Sequence, residues 1–203
     1  MASLDVVVTK VSQDVAAQAQ AKVAWPVRTA RLALRPVDIA DLEALWRYRR
    51  LPDVQRWLSR AHDHDSFAAT LRDRTNRAHL LVAVMLDDRM IGDIVIMIEN
   101  GWAQADVAEQ AVNMQAELGW AFDPDVAGQG YATEAVEAVL SLCFVDLGLR
   151  RVHAGCFTAN TPSWRLMERV GMRRESAGIR DGLHRSGGWM DGYEYAILGA
   201  LRL

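Results

Sequence analysis

The chain has 203 residues, 51% of them hydrophobic and 24% charged, which excludes a disordered or fibrous protein and suits one globular domain with a sizeable core. Its net charge of −3 at pH 7 argues against a dedicated nucleic-acid binder. Two cysteines, Cys143 and Cys156, exclude a secreted disulfide framework and read as buried small hydrophobes; without a basic leader or an apolar run of about 20 residues, the expectation is a cytoplasmic protein that stays out of the membrane.

Residues 1–24 are rich in Ala and Gln with little apolar periodicity. They read as an accessory segment, with a short helix near SQDVAAQAQAKVA, preceding a single domain over 25–203. RLALRP, residues 31–36, alternates apolar and polar residues before Pro36 ends it, which predicts a strand. Asp38 then caps a helix running to about Arg50, and residues 64–77 form a second helix capped by Asp65 or Ser66. Residues 79–86 and 89–98 flank Asp87-Asp88 and predict a β-hairpin.

Residues 100–114 form a connection of undefined structure, and QAELGWAF, 115–122, is a strand. After it comes DPDVAGQG and a helix through Asp146, on which Val136, Leu140, Cys143 and Leu147 mark one buried face. Residues 150–157 are a strand; Asn160 or Thr161 caps the next helix, Pro162 sits in its first turn, and Gly171 ends it. RRESAGI leads into a loop, and GYEYAILGAL closes the chain as a last strand. The order predicts a mixed α/β fold: one mostly antiparallel sheet of six or seven strands with helices on both faces.

Gly128-Gln129-Gly130 after a strand and before a helix presents free N–H groups and the positive end of a helix dipole, which suits a phosphate. A dinucleotide fingerprint would need its third glycine at Thr133, and no Gly-Lys-Ser/Thr follows for a nucleotide P-loop. The two glycines could equally make only a tight turn. Between Arg89 and Arg150 there is no Lys or Arg, while Arg150, Arg151, Arg165, Arg169, Arg173 and Arg174 follow. An acidic region before a basic one suits a cationic substrate beside an anionic ligand, and equally a solvated surface.

AELGWAFDPDVAGQGYATEAV followed by NTPSWRLMERVGM resembles the GNAT acetyltransferase superfamily and, within it, the RimJ/RimL-like branch of ribosomal-protein N-terminal acetyltransferases. TARLALRP and WMDGYEYAIL resemble the branch's first and last strands, so the resemblance spans about Thr29 to Leu198. Its specificity lies in the joint order of the four segments. It implies acetyl-CoA as donor and splayed strands at its site, with Trp120, Ala121 and Phe122 pairing with the pantetheine arm and the turn Ala127, Gly128, Gln129, Gly130, Tyr131 and Ala132 around the pyrophosphate. At 127 the family usually carries Arg or Gln, which puts the side-chain share of that grip in doubt.

The resemblance further implies that Asn160 hydrogen-bonds the arm and that Ser163 stands by the sulfur as proton donor, since the tyrosine many relatives use falls here at Met167. For Asn160 a plain helix cap stays open. Glu117 and Asp181 are the candidate bases, although alternation sets Glu117 on the face opposite Ala116, which matches the family's base position more closely. The implied activity is acetyl transfer to a primary amine, a protein N-terminus or a small basic amine, by direct attack in a ternary complex; a homodimer would fit. A non-catalytic acyl-CoA-binding module is the alternative that Ala127 and Met167 motivate, and a nucleotide-dependent oxidoreductase is a third. Trp57, Trp102 and Trp189 read as packing, with Trp102 the one to contact an acceptor, and the five histidines show no metal spacing.

Overall fold

A computed structural model describes residues 15–60, 62–75 and 79–199. One eight-stranded sheet runs in the order β1-β2-β3-β4-β5-β6-β8-β7. Its strands are β1 (Val27–Arg28), β2 (Ala33–Pro36), β3 (His79–Leu86), β4 (Arg89–Glu99), β5 (Gln115–Phe122), β6 (Arg151–Phe157), β7 (Arg173–His184) and β8 (Gly188–Leu198). All neighbours pair antiparallel except β5 and β6. Helix α1 (Val15–Lys22) precedes the sheet; α2 (Leu42–Arg49), α3 (Pro52–Gln55) and α4 (His64–Thr75) lie between β2 and β3; α5 (Tyr131–Val145) follows β5 and α6 (Thr161–Arg169) follows β6.

Both faces are covered, and the strand periodicity decides which side chains go where. On one face α1, α5 and α6 bury Val15, Ala19, Val136, Val139, Leu140, Leu166 and Met167 against Leu34, Val82, Val84, Ile94, Ile96, Ala116, Leu118 and Val152. On the other, Leu45, Tyr48, Phe67 and Leu71 from α2 and α4 meet Leu81, Ala83 and Ala121. Each fully buried aliphatic side chain contributes about 1.5–3 kcal/mol of transfer free energy. Beneath α2 the second face holds a charge: Asp93 on β4 is wholly buried, accepts from the Tyr48 hydroxyl at 2.6 Å and pairs with the Arg49 guanidinium.

The first helix is less detached than its composition suggests. Val15, Ala19 and Val23 recur every four residues and are all buried in the main core; an alanine at the middle position hides this stripe from a periodicity count. The predicted residues 1–14 of the accessory segment lie outside the described residues. Asp38 caps as expected, but the cap of a one-turn 3₁₀ helix, Ile39–Asp41, that leads into α2. The cap of α4 is Asp63 and not Asp65 or Ser66: Asp63 Oδ1 accepts from the Ser66 N–H at 2.8 Å while Ser66 Oγ accepts from the Asp63 N–H at 3.2 Å. That reciprocal pair caps the helix from the residue just before its expected start at 64, with Ser66 as the partner of the cap. Residues 76–77, the end of that predicted helix, lie outside the described residues. The undefined connection contains a 3₁₀ segment, Ala105–Ala111.

Asp181 does not lie in a loop after RRESAGI: that segment belongs to β7, Arg173–His184, a twelve-residue edge strand paired to β8. It escaped the sequence reading because its residues are exposed almost throughout, so no apolar alternation marks it. A register shift between Gly178 and Gly182 bulges the strand around Arg180, whose φ is +50°. Asp191 holds that bulge, accepting from the Arg180 N–H at 2.8 Å.

Candidate active site

β5 and β6 pair only from Gln115↔Arg151 to Glu117↔His153. β6 then remains paired to β8 as far as Phe157↔Gly192, and β5 to β4 as far as Phe122↔Gly92. Two neighbouring strands thus diverge while each keeps its outer partner, leaving the inner edge of Leu118–Phe122 with unpaired backbone groups. A cleft of about 1250 Å³ opens in this gap, lined by Trp120, Ala121 and Phe122, by Ala127, Gly128 and the start of α5, and by Asn160 and Ser163.

At the far end Asp123 sets the turn. Its carboxylate is buried, yet Arg89 at 2.7 Å, the Asp125 N–H at 3.1 Å and Arg47 at 3.2 Å keep its pKa below the usual carboxylate range. Gly128 and Gly130 have φ of +77° and +82°, the left-handed region that favours glycine. A Cβ on Gly128 would meet nothing within 4 Å, so the loop is open there. Gly130 caps α5 with no side-chain bond, and among the described residues no protein acceptor meets the N–H groups of Gly128 through Thr133. A two-phosphate group fits this cradle, which offers several N–H donors at the positive end of a fifteen-residue helix.

Two of the turn residues named from sequence serve differently. The Ala127 N–H is taken by the Pro124 carbonyl at 3.0 Å, so this residue lines the cleft but offers no donor. Gln129 is absent from the lining, and its carbonyl accepts from Arg31 Nη1 at 3.0 Å. Asn160 sits at the cap position of α6 but makes no side-chain cap bond, leaving its amide free at the cleft. The Ser163 hydroxyl meets the Cys156 thiol; burial and the Glu194 charge push that thiol up to about 11. Cys156 is therefore a half-buried, protonated member of the cleft wall, unlike the fully buried Cys143. Met167 is wholly buried in the core and does not reach the cleft.

The acidic side of the cleft follows from register. Met97 stands opposite Glu117, Glu117 opposite His153, and His153 opposite Ala196. Period two then sets Glu99, Glu117, His153 and Glu194 on one face, the face of α2 and α4 at a place those helices do not cover. Ala116, on the other face, is wholly buried in the core and cannot be the base position. His153 links the group: Nδ1 lies 3.7 Å from Glu194 Oε2 and Nε2 3.2 Å from Glu99 Oε2. Glu194, and then Glu99, raise its pKa above the ordinary histidine value against the effect of burial. Glu117 is raised as well, by burial first and by Glu99 and Glu194 second, with His153 opposing. Asp181 reaches the same cleft, its carboxylate packed against Gly178 and Gly192.

Trp57 and Phe157 line the cleft beside Glu117 and Glu194, and His184 packs behind them, with ring centroids 5.3–6.3 Å apart. His184 Nδ1 accepts from the Gly187 N–H at 3.0 Å, which leaves Nε2 to donate to the Arg56 carbonyl at 2.7 Å. Together with Arg185 on the Leu58 carbonyl, it fastens the segment after α3 to the β7–β8 hairpin. Trp102, expected to contact an acceptor, is exposed at 74% and is not among the residues lining the cleft, whereas Trp57 is. Sequence reasoning missed Glu194, His153 and Arg31. Only Glu194 had a signal, as the charged residue between Tyr193 and Tyr195 in the final strand.

Residues 31–173 match the family model for the acetyltransferase (GNAT) domain. The chain belongs to the GNAT acetyltransferase family. Among relatives of this GNAT protein, the uncharacterized N-acetyltransferase YnaD of Bacillus subtilis is 30% identical over 175 residues, 85% of this chain and 96% of that one. A solved GNAT-family acetyltransferase from Bacillus anthracis is 29% identical with a TM-score of 0.70, covering 85% of this chain and 97% of that one. Mycobacterium smegmatis RimJ, solved in complex with CoA-disulfide, is 26% identical with a TM-score of 0.70, covering 86% and 88%. The acetyl donor of this GNAT enzyme is acetyl-CoA. Among the described residues no helix is long and apolar enough to cross a membrane.

Proposed function

We propose that the protein transfers acetyl from acetyl-CoA to a primary amine on a cationic acceptor, by direct attack within a ternary complex. The observation that carries this reading is the divergence of β5 and β6 after Glu117↔His153, which opens one cleft between an N–H cradle and a face of carboxylates. In this reading the unpaired edge of Trp120, Ala121 and Phe122 takes the pantetheine arm as an added strand. Gly128, Gly130, Tyr131 and Ala132 hold the pyrophosphate, and Asn160 donates to or accepts from the arm.

Amide formation needs an uncharged nitrogen, a donor to the developing oxyanion and a proton for the departing thiolate. Glu117 and Glu194 accept the ammonium proton, Glu117 with a basicity that burial has raised. Asp181, at the rim, attracts the cationic acceptor. A backbone N–H of Trp120–Phe122 meets the oxyanion, and Ser163 protonates the sulfur. Cys156, held protonated, is a poor nucleophile, which favours direct attack over an acyl-cysteine.

The acceptor is a protein N-terminus or a small basic amine; the acidic wall favours one carrying a second positive charge. Thiol release from acetyl-CoA is measured with a panel of N-terminal peptides, polyamines and aminoglycosides. Turnover with a cationic member, cut by Glu117→Gln and Glu194→Gln, is expected. Binding of acetyl-CoA with no turnover on any amine would replace this reading with that of an acyl-CoA-binding module.

A further inference from the structure

We propose that Arg31 is the positioning residue of the phosphate cradle, holding the Gln129–Gly130 peptide so that its N–H faces the bound pyrophosphate. The inference rests on the donor site proposed above and concerns a residue outside the glycine turn. Arg31 precedes β2, about a hundred residues before the turn, and reaches both the turn and the first turn of α5. Nη1 donates to the Gln129 carbonyl at 3.0 Å, Nε and the backbone N–H donate to Glu134 at 2.7 and 2.8 Å, and the guanidinium lies 4.4 Å from the centroid of Tyr131.

Two consequences follow from peptide and charge geometry. The Gln129–Gly130 bond is trans, so its carbonyl and N–H point in opposite directions. With the carbonyl turned out to Arg31, the Gly130 N–H is turned away from it; Gly130 lines the cleft while Gln129 does not. At Gly130, φ of +82° leaves the loop few side-chain constraints of its own, and an outside anchor therefore sets the peptide's orientation. The second consequence concerns Glu134, whose carboxylate in the first turn of α5 would repel a phosphate at the same helix end. Arg31 and the Thr29 hydroxyl, at 2.6 Å, hold it in a saturated set of donors. Ala127 offers neither a side-chain cation nor a free N–H, so the orientation of the remaining donors counts for more here than it would beside an arginine.

The test compares CoA with pantetheine, which shares the arm and thiol but has no phosphate, by calorimetric titration of the unaltered protein, Arg31→Gln and Arg31→Lys. Arg31→Gln is expected to weaken CoA about tenfold, the loss of roughly one charge-assisted hydrogen bond, and to leave pantetheine within about twofold. Arg31→Lys keeps the charge beside Glu134 but not the forked reach to Gln129, and should give an intermediate loss confined to CoA. If Arg31→Gln does not fold, Arg31→Lys carries the same comparison. Equal losses for both ligands, or no loss for CoA, overturn the proposal and leave the donor site standing. CoA binding no tighter than pantetheine in the unaltered protein would remove the donor site, and the proposal with it.

Discussion

Gly155→Ala would move a carboxylate without touching its chemistry. Gly155 stands opposite Glu194 in the β6–β8 ladder, and the Glu194 side chain lies flat over it. A methyl group there would overlap Oε1 and come 3.1 Å from Cδ. Ordinary contact needs about 3.5 Å, so the carboxylate must swing off by on the order of 1 Å. It can do so cheaply, since its side chain is 52% exposed and the obstacle is met by a flexible end and not by backbone. Removing a strand glycine recovers roughly 0.5–1 kcal/mol of conformational entropy, so the melting temperature should hold or rise.

What changes is His153. Glu194 is the first cause of its raised pKa, and displacing that carboxylate beyond its present 3.7 Å should lower the titration midpoint toward the ordinary histidine value. Nuclear magnetic resonance of the imidazole ring protons across pH 5 to 9 reads this directly, and turnover with an identified amine should fall in the same variant. An unchanged His153 titration in a folded Gly155→Ala protein would refute the coupling of His153 to Glu194, and unchanged turnover would remove Glu194 from the acceptor site.

Because His153 binds its proton more tightly folded than unfolded, its stabilisation is complete below the unfolded histidine's pKa and disappears as pH rises through the folded one. Denaturation midpoints of the unaltered protein should therefore decline relative to His153→Gln as pH rises above about 6.5. Asp93→Ala leaves Arg49 buried without its partner and should cost about 3–5 kcal/mol by urea unfolding; a cost under about 1 kcal/mol would mean that solvent reaches the pair. Ser163→Ala should lower turnover more than it weakens acetyl-CoA binding, and equal turnover would exclude it as the proton donor.

The elements that carry apolar alternation or a strong helical stripe were legible before any coordinates. β3 and β4 read as a hairpin, QAELGWAF as β5, and the Val136–Leu140–Cys143 stripe as the buried face of α5, because each signal is local and periodic. The glycine turn was legible because its signal is also local, since positive φ at 128 and 130 selects glycine at both. β7 was not, because a strand exposed on both faces at a sheet edge has no hydrophobic pattern to show. Asp181 was misplaced in a loop as a direct result.

The sequence by itself determined the elements proposed to hold the donor: β5, the glycine turn and α5 form one contiguous stretch of chain, Gln115–Phe122 to Tyr131–Val145, where short-range rules suffice. The carboxylate-rich face proposed for the acceptor was decided by tertiary structure alone. Glu99, Glu117, His153 and Glu194 come from four strands, and which of them meet depends on register, where a slip of one residue would turn each to the opposite face. Arg31 belongs with them, since nothing local to TARLALRP says that its guanidinium closes on a turn almost a hundred residues later.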